Sequence, residues 1–173
     1  MTEPVRKPAE DALCPEGRLS DPTRPVDGRP VVNEDTYVPH FLSAVNAALT
    51  SSASALYLKE FGIGVTEWRV MSWLASTPGT SAARISELQL MDKAAVSRAL
   101  KQLEAQGLAT AEPTPGDGRK RKVALNQRGL EMHDNILQVA LKRERDLIAG
   151  VDPEDLEVFL RVMRIMRENV RAF

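Results

Sequence analysis

Cysteine is almost missing from this 173-residue chain, with Cys14 standing alone. One thiol forbids an intramolecular disulfide and suits the reducing cytoplasm. Arg18 is the one nearby group that would activate it, so an inert thiol is expected rather than a redox sensor. Histidine is nearly as scarce: His40 and His133 are too few and too far apart in sequence for a zinc signature, and no metal site is expected. A phosphate-cradling Gly loop, a dinucleotide fingerprint and a nucleophile-and-base set are all missing. Gly62-x-Gly64 is only a pair of glycines at a helix end, and Asp152, Glu154 and Asp155 are explained as acids at a helix start. These absences argue against an enzyme and against a cofactor.

Long apolar runs are lacking too. The stretch Val38 to Leu58 carries no Asp, Glu, Lys or Arg, but Ala, Ser, Thr and Asn dilute it below a membrane span. The N-terminus has no apolar core of a signal peptide, so a cytoplasmic location is expected. Charge of one sign is not in excess either: 23 Lys and Arg oppose 24 Asp and Glu, for a net charge of -1. That excludes a histone-like basic protein, yet a small basic face can hide inside a neutral total.

What is present divides the chain. The segment 1–38 holds six of the eleven prolines, with eight acidic and five basic side chains and no apolar periodicity. Such a segment cannot bury enough apolar surface to offset its ordering entropy, so residues 1–38 are expected to form a disordered Pro-rich arm. Residues 39–173 read as one domain. Its first helix runs from Pro39 to a stop at Gly62. Thr66 is placed to cap a second helix over EWRVMSWLAS. Ser81 can cap a short helix over AARISEL, and Asp92 can cap KAAVSRALKQLEAQ, which stops at Gly107. LATAEP and KVALN then alternate as strands around the loop TPGDGRK, predicting a β-hairpin with Arg119, Lys120, Arg121 and Lys122 at its tip. Two longer helices close the chain, over about 127–149 and from the Asp152-Pro153 start onwards. The fold class is therefore mainly α with one small β-hairpin.

The centre of the chain carries the functional signal. A short helix, a tight turn and a second helix match a helix-turn-helix. In the second helix Val96, Leu100 and Leu103 would face the core, which turns Lys93, Ala94, Ser97, Arg98 and Lys101 outwards. Small residues at the helix start allow close approach to a groove wall, while Arg98 and Lys101 can reach phosphates or a guanine edge. From Lys93 to Lys122 there are seven basic and three acidic residues, a local +4. That is the electrostatic footprint of binding to double-stranded DNA through one surface.

The residues Asp117-Gly-Arg119-Lys-Arg-Lys-Val123-Ala-Leu125-Asn126-Gln-Arg-Gly129 follow the pattern D-x-R-x-x-x-V-x-L-T-x-x-G, departing only where Asn126 replaces Thr. With DKAAVSRALKQLEAQGL before it, the chain from about 39 to 171 resembles the MarR-type winged-helix regulators. The resemblance implies a winged helix-turn-helix over 65–126, with dimerisation helices at 39–62 and 127–173. It implies that Asp117 braces Arg119, that Arg119 enters the minor groove, and that Ser81 lies near the phosphate backbone. It further implies a homodimer on a palindromic operator, with recognition helices roughly 34–36 Å apart.

Six of the eight aromatic residues fall between 37 and 73, and YLKEFGIGVTEWRVM looks like the branch linked to aromatic-compound catabolism. The resemblance places a ligand pocket between the dimer region and the winged helix. Candidate lining residues are His40, Phe41, Ser51, Ser54, Tyr57, Trp68, Arg69 and Trp73, which would suit a small aromatic effector such as a phenolic acid. The expected function is a homodimeric repressor released by that effector. Two alternatives stay open: a constitutive or partner-dependent DNA-binding protein whose pocket its own side chains fill, and a helical scaffold module without DNA affinity.

Overall fold

A computed structural model describes residues 18–114 and 117–171, with the backbone alone for Thr114 and residues 117–120. The elements are β1 (Thr23–Val26), β2 (Arg29–Val32), α1 (Val38–Phe61), α2 (Val65–Ser76), α3 (Ala82–Gln89), α4 (Lys93–Ala105), β3 (Ala109–Thr114), β4 (Asp117–Leu125), α5 (Gln127–Leu147) and α6 (Pro153–Val170). The chain divides after Leu56 into two compact units.

In the first unit, the expectation of a disordered arm is corrected for residues 23–32. β1 and β2 pair antiparallel, with Val26 opposite Arg29 across Asp27-Gly28. Asp27 and Gly28 both take positive φ, 50° and 74°, which is the two-residue turn whose twist matches a hairpin. The prolines do not oppose this pairing. Pro25 faces Pro30, a position that exchanges no ladder hydrogen bonds, while Asn33 N–H donates to Pro22 O at 2.8 Å. Turn chemistry, which needs no apolar periodicity, sets this segment. The start of the arm, 1–17 with Cys14, lies outside the described residues. After the hairpin, α1 exposes Phe41, Leu42 and Val45.

The second unit holds the winged helix and the last two helices. Its core contains Val70, Met71 and Leu74 of α2, Ile85 of α3, Val96, Ala99 and Leu103 of α4, Val123 of β4 and Ile136 of α5, all buried. α2 packs on α4, α5 and β4, and α3 packs on α4. The expected cap at Thr66 is corrected: α2 already begins at Val65, its N-cap is Gly64 without a side-chain bond, and Trp68 N–H donates to Gly64 O at 2.9 Å. Glu67 supplies the acid of that first turn, where the helix dipole favours it.

Three other caps form as their residue types require. Ser81 Oγ accepts from Arg84 N–H at 3.3 Å, Asp92 Oδ1 from Ala95 N–H at 2.8 Å, and Asp152 Oδ1 from Glu154 N–H at 2.8 Å. Pro153 occupies the first turn of α6. The expected loop TPGDGRK is shorter than read, because β4 already begins at Asp117. Residues 119–122 are all basic, so no apolar alternation marks this part of the strand. Gly79 N–H donates to Val123 O at 3.0 Å and Val123 N–H to Thr80 O at 3.1 Å, anchoring the hairpin to the segment before α3.

Candidate nucleic-acid interface

α3, the turn 90–92 and α4 form the helix-turn-helix. Leu90 takes the left-handed φ of 51° to end α3, while Ser86 Oγ donates to Met91 O at 2.6 Å and Met91 N–H to Ser86 O at 3.1 Å. These bonds hold the turn, and Asp92 starts α4 at once. With Val96, Ala99, Leu100 and Leu103 buried, helical geometry turns the opposite face out. Lys93, Ala94, Arg98 and Lys101 are exposed and Ser97 is half-buried, as the sequence pattern predicts. Ser81, at the N-cap of α3, borders the same surface as Ser97 and Lys101 in a cleft of about 370 Å³, which Arg121 of β4 also lines.

The wing follows without a gap. Asn126 ties it to α4 and α5 together: its Nδ2 donates to Gly107 O at 2.9 Å, its Oδ1 accepts from Gly129 N–H at 3.0 Å, and its own N–H donates to Leu108 O at 3.1 Å. Asn in place of Thr therefore keeps the cap and adds a donor on a separate atom. Gly129 is explained by approach, since a Cβ there would stand 2.0 Å from Leu108 O. In the wing, β3 and β4 pair from Ala109 opposite Leu125 out to Thr114 opposite Asp117, with an irregularity between Pro113 and Thr114. The expected contacts of Asp117, Arg119 and Lys120 are side-chain calls and lie outside the described residues. Arg121 is described, and it is paired. Its Nη2 meets Glu104 Oε2 at 2.9 Å. Sequence reasoning missed Glu104, although it is the one acid of α4 and stands inside the local +4 segment.

The candidate effector residues fall in both units. In the first, His40 and Phe41 form an edge contact at 6.3 Å, Ser51 is exposed and Ser54 half-buried. In the second, Tyr57 is buried and meets Trp68 edge-on at 6.1 Å, and Trp68 stacks on His133 at 5.3 Å. Besides its stack, His133 has Asp134 Oδ1 3.0 Å from Nδ1. Arg69 is exposed. Trp73 is half-buried, and its Nε1 is a buried donor with no acceptor among the described residues. No group of three or more His, Cys, Asp or Glu among the described residues could hold a metal ion.

A model described as "MarR family" matches residues 61–120, the stretch from the end of α1 into β4. A crystal structure of a MarR/EmrR family transcriptional regulator from Acinetobacter sp. ADP1 superposes with a TM-score of 0.75 and 28% identity, covering 82% of this chain and 100% of that one. Over residues 61–120 the chain is similar to the MarR family, as are its curated and structural relatives. Among its relatives is the HTH-type transcriptional regulator YdgJ of Bacillus subtilis, 27% identical over 109 residues, 63% of this chain and 66% of that protein. The repressor IacR of Pseudomonas putida is 22% identical over 134 residues, 77% of this chain and 79% of its own length. Its fold is that of the winged-helix transcriptional regulators among these relatives, which are not enzymes.

Proposed function

We propose that this protein is a MarR-family regulator, a cytoplasmic homodimeric repressor that reads a palindromic operator and is released by a small aromatic acid. The observation that carries the DNA half is the outward face of α4. Lys93, Arg98 and Lys101 stand exposed beside Ala94 and Ser97 on a helix capped at the end that would enter the major groove. The sequence of β4 places Arg119, Lys120, Arg121 and Lys122 in succession, a charge density suited to phosphates and to the negative minor groove.

Two observations support the remaining parts. An 18-residue window of α1 has mean hydropathy 1.2 and is mostly exposed. By length and composition it is apolar enough to cross a membrane, which corrects the reading of this stretch as too polar for one. α6 has no buried residue. Faces of this kind on a DNA-binding protein are accounted for by a second copy of the chain, which also supplies the twofold axis that a palindromic site matches. For the effector, Tyr57, Trp68 and His133 supply aromatic walls, and the Trp73 Nε1–H is a donor suited to a carboxylate or phenol oxygen. Release would follow from the effector's preference for a dimer whose recognition helices are misplaced. The mutual packing of those rings also favours a second reading, a pocket filled by its own side chains and constitutive binding.

The test is selection of genomic fragments by the purified protein at physiological salt. An inverted repeat is expected, and Arg119→Ala is expected to weaken binding to it by on the order of 1–3 kcal/mol. Diffuse, salt-sensitive recovery with no loss in that variant would refute sequence reading by helix and wing. A phenolic acid that binds at saturation yet leaves operator affinity unchanged would favour the constitutive reading.

A further inference from the structure

The cleft between α3, α4 and β4 contains one acid among its described lining residues, and that acid is spent on one cation. Glu104 Oε2 accepts from Arg121 Nη2 at 2.9 Å, Oε1 lies 3.5 Å from Nη1, and Ala111 O lies 3.5 Å from Nη2. The Glu104 side chain is 25% exposed and the Arg121 side chain 52%. Ser81, Ser97 and Lys101 line the same cleft, so the pair sits among the groups that would meet a phosphate backbone. A carboxylate there opposes DNA through repulsion of phosphate, and it also occupies the guanidinium that would otherwise release a counterion. Half-exposed surface pairs contribute little to stability, which leaves the fold a weak reason for this acid.

We infer that Glu104 is a specificity-determining residue. By holding Arg121 it keeps one cation away from phosphates, which lowers sequence-independent affinity, and it ties β4 of the wing to the last turn of the recognition helix. Non-specific binding is almost wholly a count of phosphate contacts, whereas operator binding adds base contacts. Base contacts fix the register of the operator complex, whereas a scrambled duplex can shift to engage any free cation, so withholding Arg121 weakens the scrambled complex more than the operator complex. This rests on the DNA reading proposed above.

The experiment measures binding of full-length protein to a selected operator and to a scrambled duplex across a salt series, for wild type, Glu104→Gln and Glu104→Ala. Both variants are expected to bind the scrambled duplex several-fold more tightly at low salt. Their log–log salt slope should steepen by about 0.9, the value for one added phosphate contact. Their operator-to-scrambled ratio should fall. Adding Arg121→Gln to Glu104→Gln is expected to abolish the steepening. Parallel weakening on both duplexes, an unchanged slope, or a steepening that survives in the double variant would each overturn the inference. If wild type prefers no sequence, the regulator reading fails and this inference falls with it. If wild type discriminates and Glu104→Gln behaves like it, only this inference fails.

Discussion

Gly129 shows how much one hydrogen atom decides at the junction of wing and helix. A Cβ there would stand 2.0 Å from Leu108 O and 3.2 Å from Leu125 Cβ, and neither neighbour is the movable end of a long side chain. Leu108 is buried, and its carbonyl already accepts from Asn126 N–H, so it has little room to yield. Gly129→Ala is therefore expected to destabilise the fold by about 1–3 kcal/mol, the usual cost of overpacking. Chemical denaturation of the variant checks this, and a midpoint equal to wild type would refute it. The position was legible in the sequence only as part of a family pattern. The reason for it, the Leu108 carbonyl on the far side of the whole wing, was not. Glu104 was harder still. As an acid on an exposed helix it carried no pattern, and only its distance to Arg121 gives it a role.

At the scale of the element, legibility follows the locality of the cause. The caps at Ser81, Asp92 and Asp152 and the buried stripe of α4 are set within one or two turns of chain, and each was read correctly. Thr66 failed because Val65 already adopts helical geometry, so the helix begins two residues earlier. The β1–β2 hairpin is invisible to the composition of 1–38 as a whole, because two positive-φ residues, Asp27 and Gly28, decide it. The extent of β4 is not legible because Arg119, Lys120, Arg121 and Lys122 form an unbroken basic run with no apolar alternation. Asp92 tests the local rule where it touches function. Asp92→Ala removes the acceptor for Ala95 N–H, which should cost about 1 kcal/mol of stability, whereas Asp92→Asn keeps it. The turn that frays in Asp92→Ala carries Lys93 and Ala94, so operator affinity should fall with it. Thermal melts and operator titrations of both variants decide this. Equal behaviour of Ala and Asn would show that the cap is idle.

At the scale of the whole molecule, the surplus of apolar surface is the fact that most needs an occupant. Phe159, Val162 and Val170 of α6 are exposed, and with half-buried Met166 they recur at helical spacing; Ile165 and Leu160 widen the face. Fully burying a side chain of this kind is worth about 1.5–3 kcal/mol, so several together would drive association. If a second copy covers this face, the melting temperature must rise with protein concentration, because assembly stabilises the folded state by mass action. Phe159→Glu should abolish that dependence and leave a monomer whose winged helix, built from other residues, keeps its circular dichroism. Operator affinity should then drop by roughly 10²–10⁴-fold, the gain that linking two binding modules supplies. Affinity for an isolated half-site should change little, because the variant leaves α4 and the wing intact. Sedimentation and paired titrations on whole and half operators test the set. A concentration-independent melt in wild type, or a Phe159→Glu variant that still binds the whole operator tightly, would mean that the face is covered by something other than a second copy.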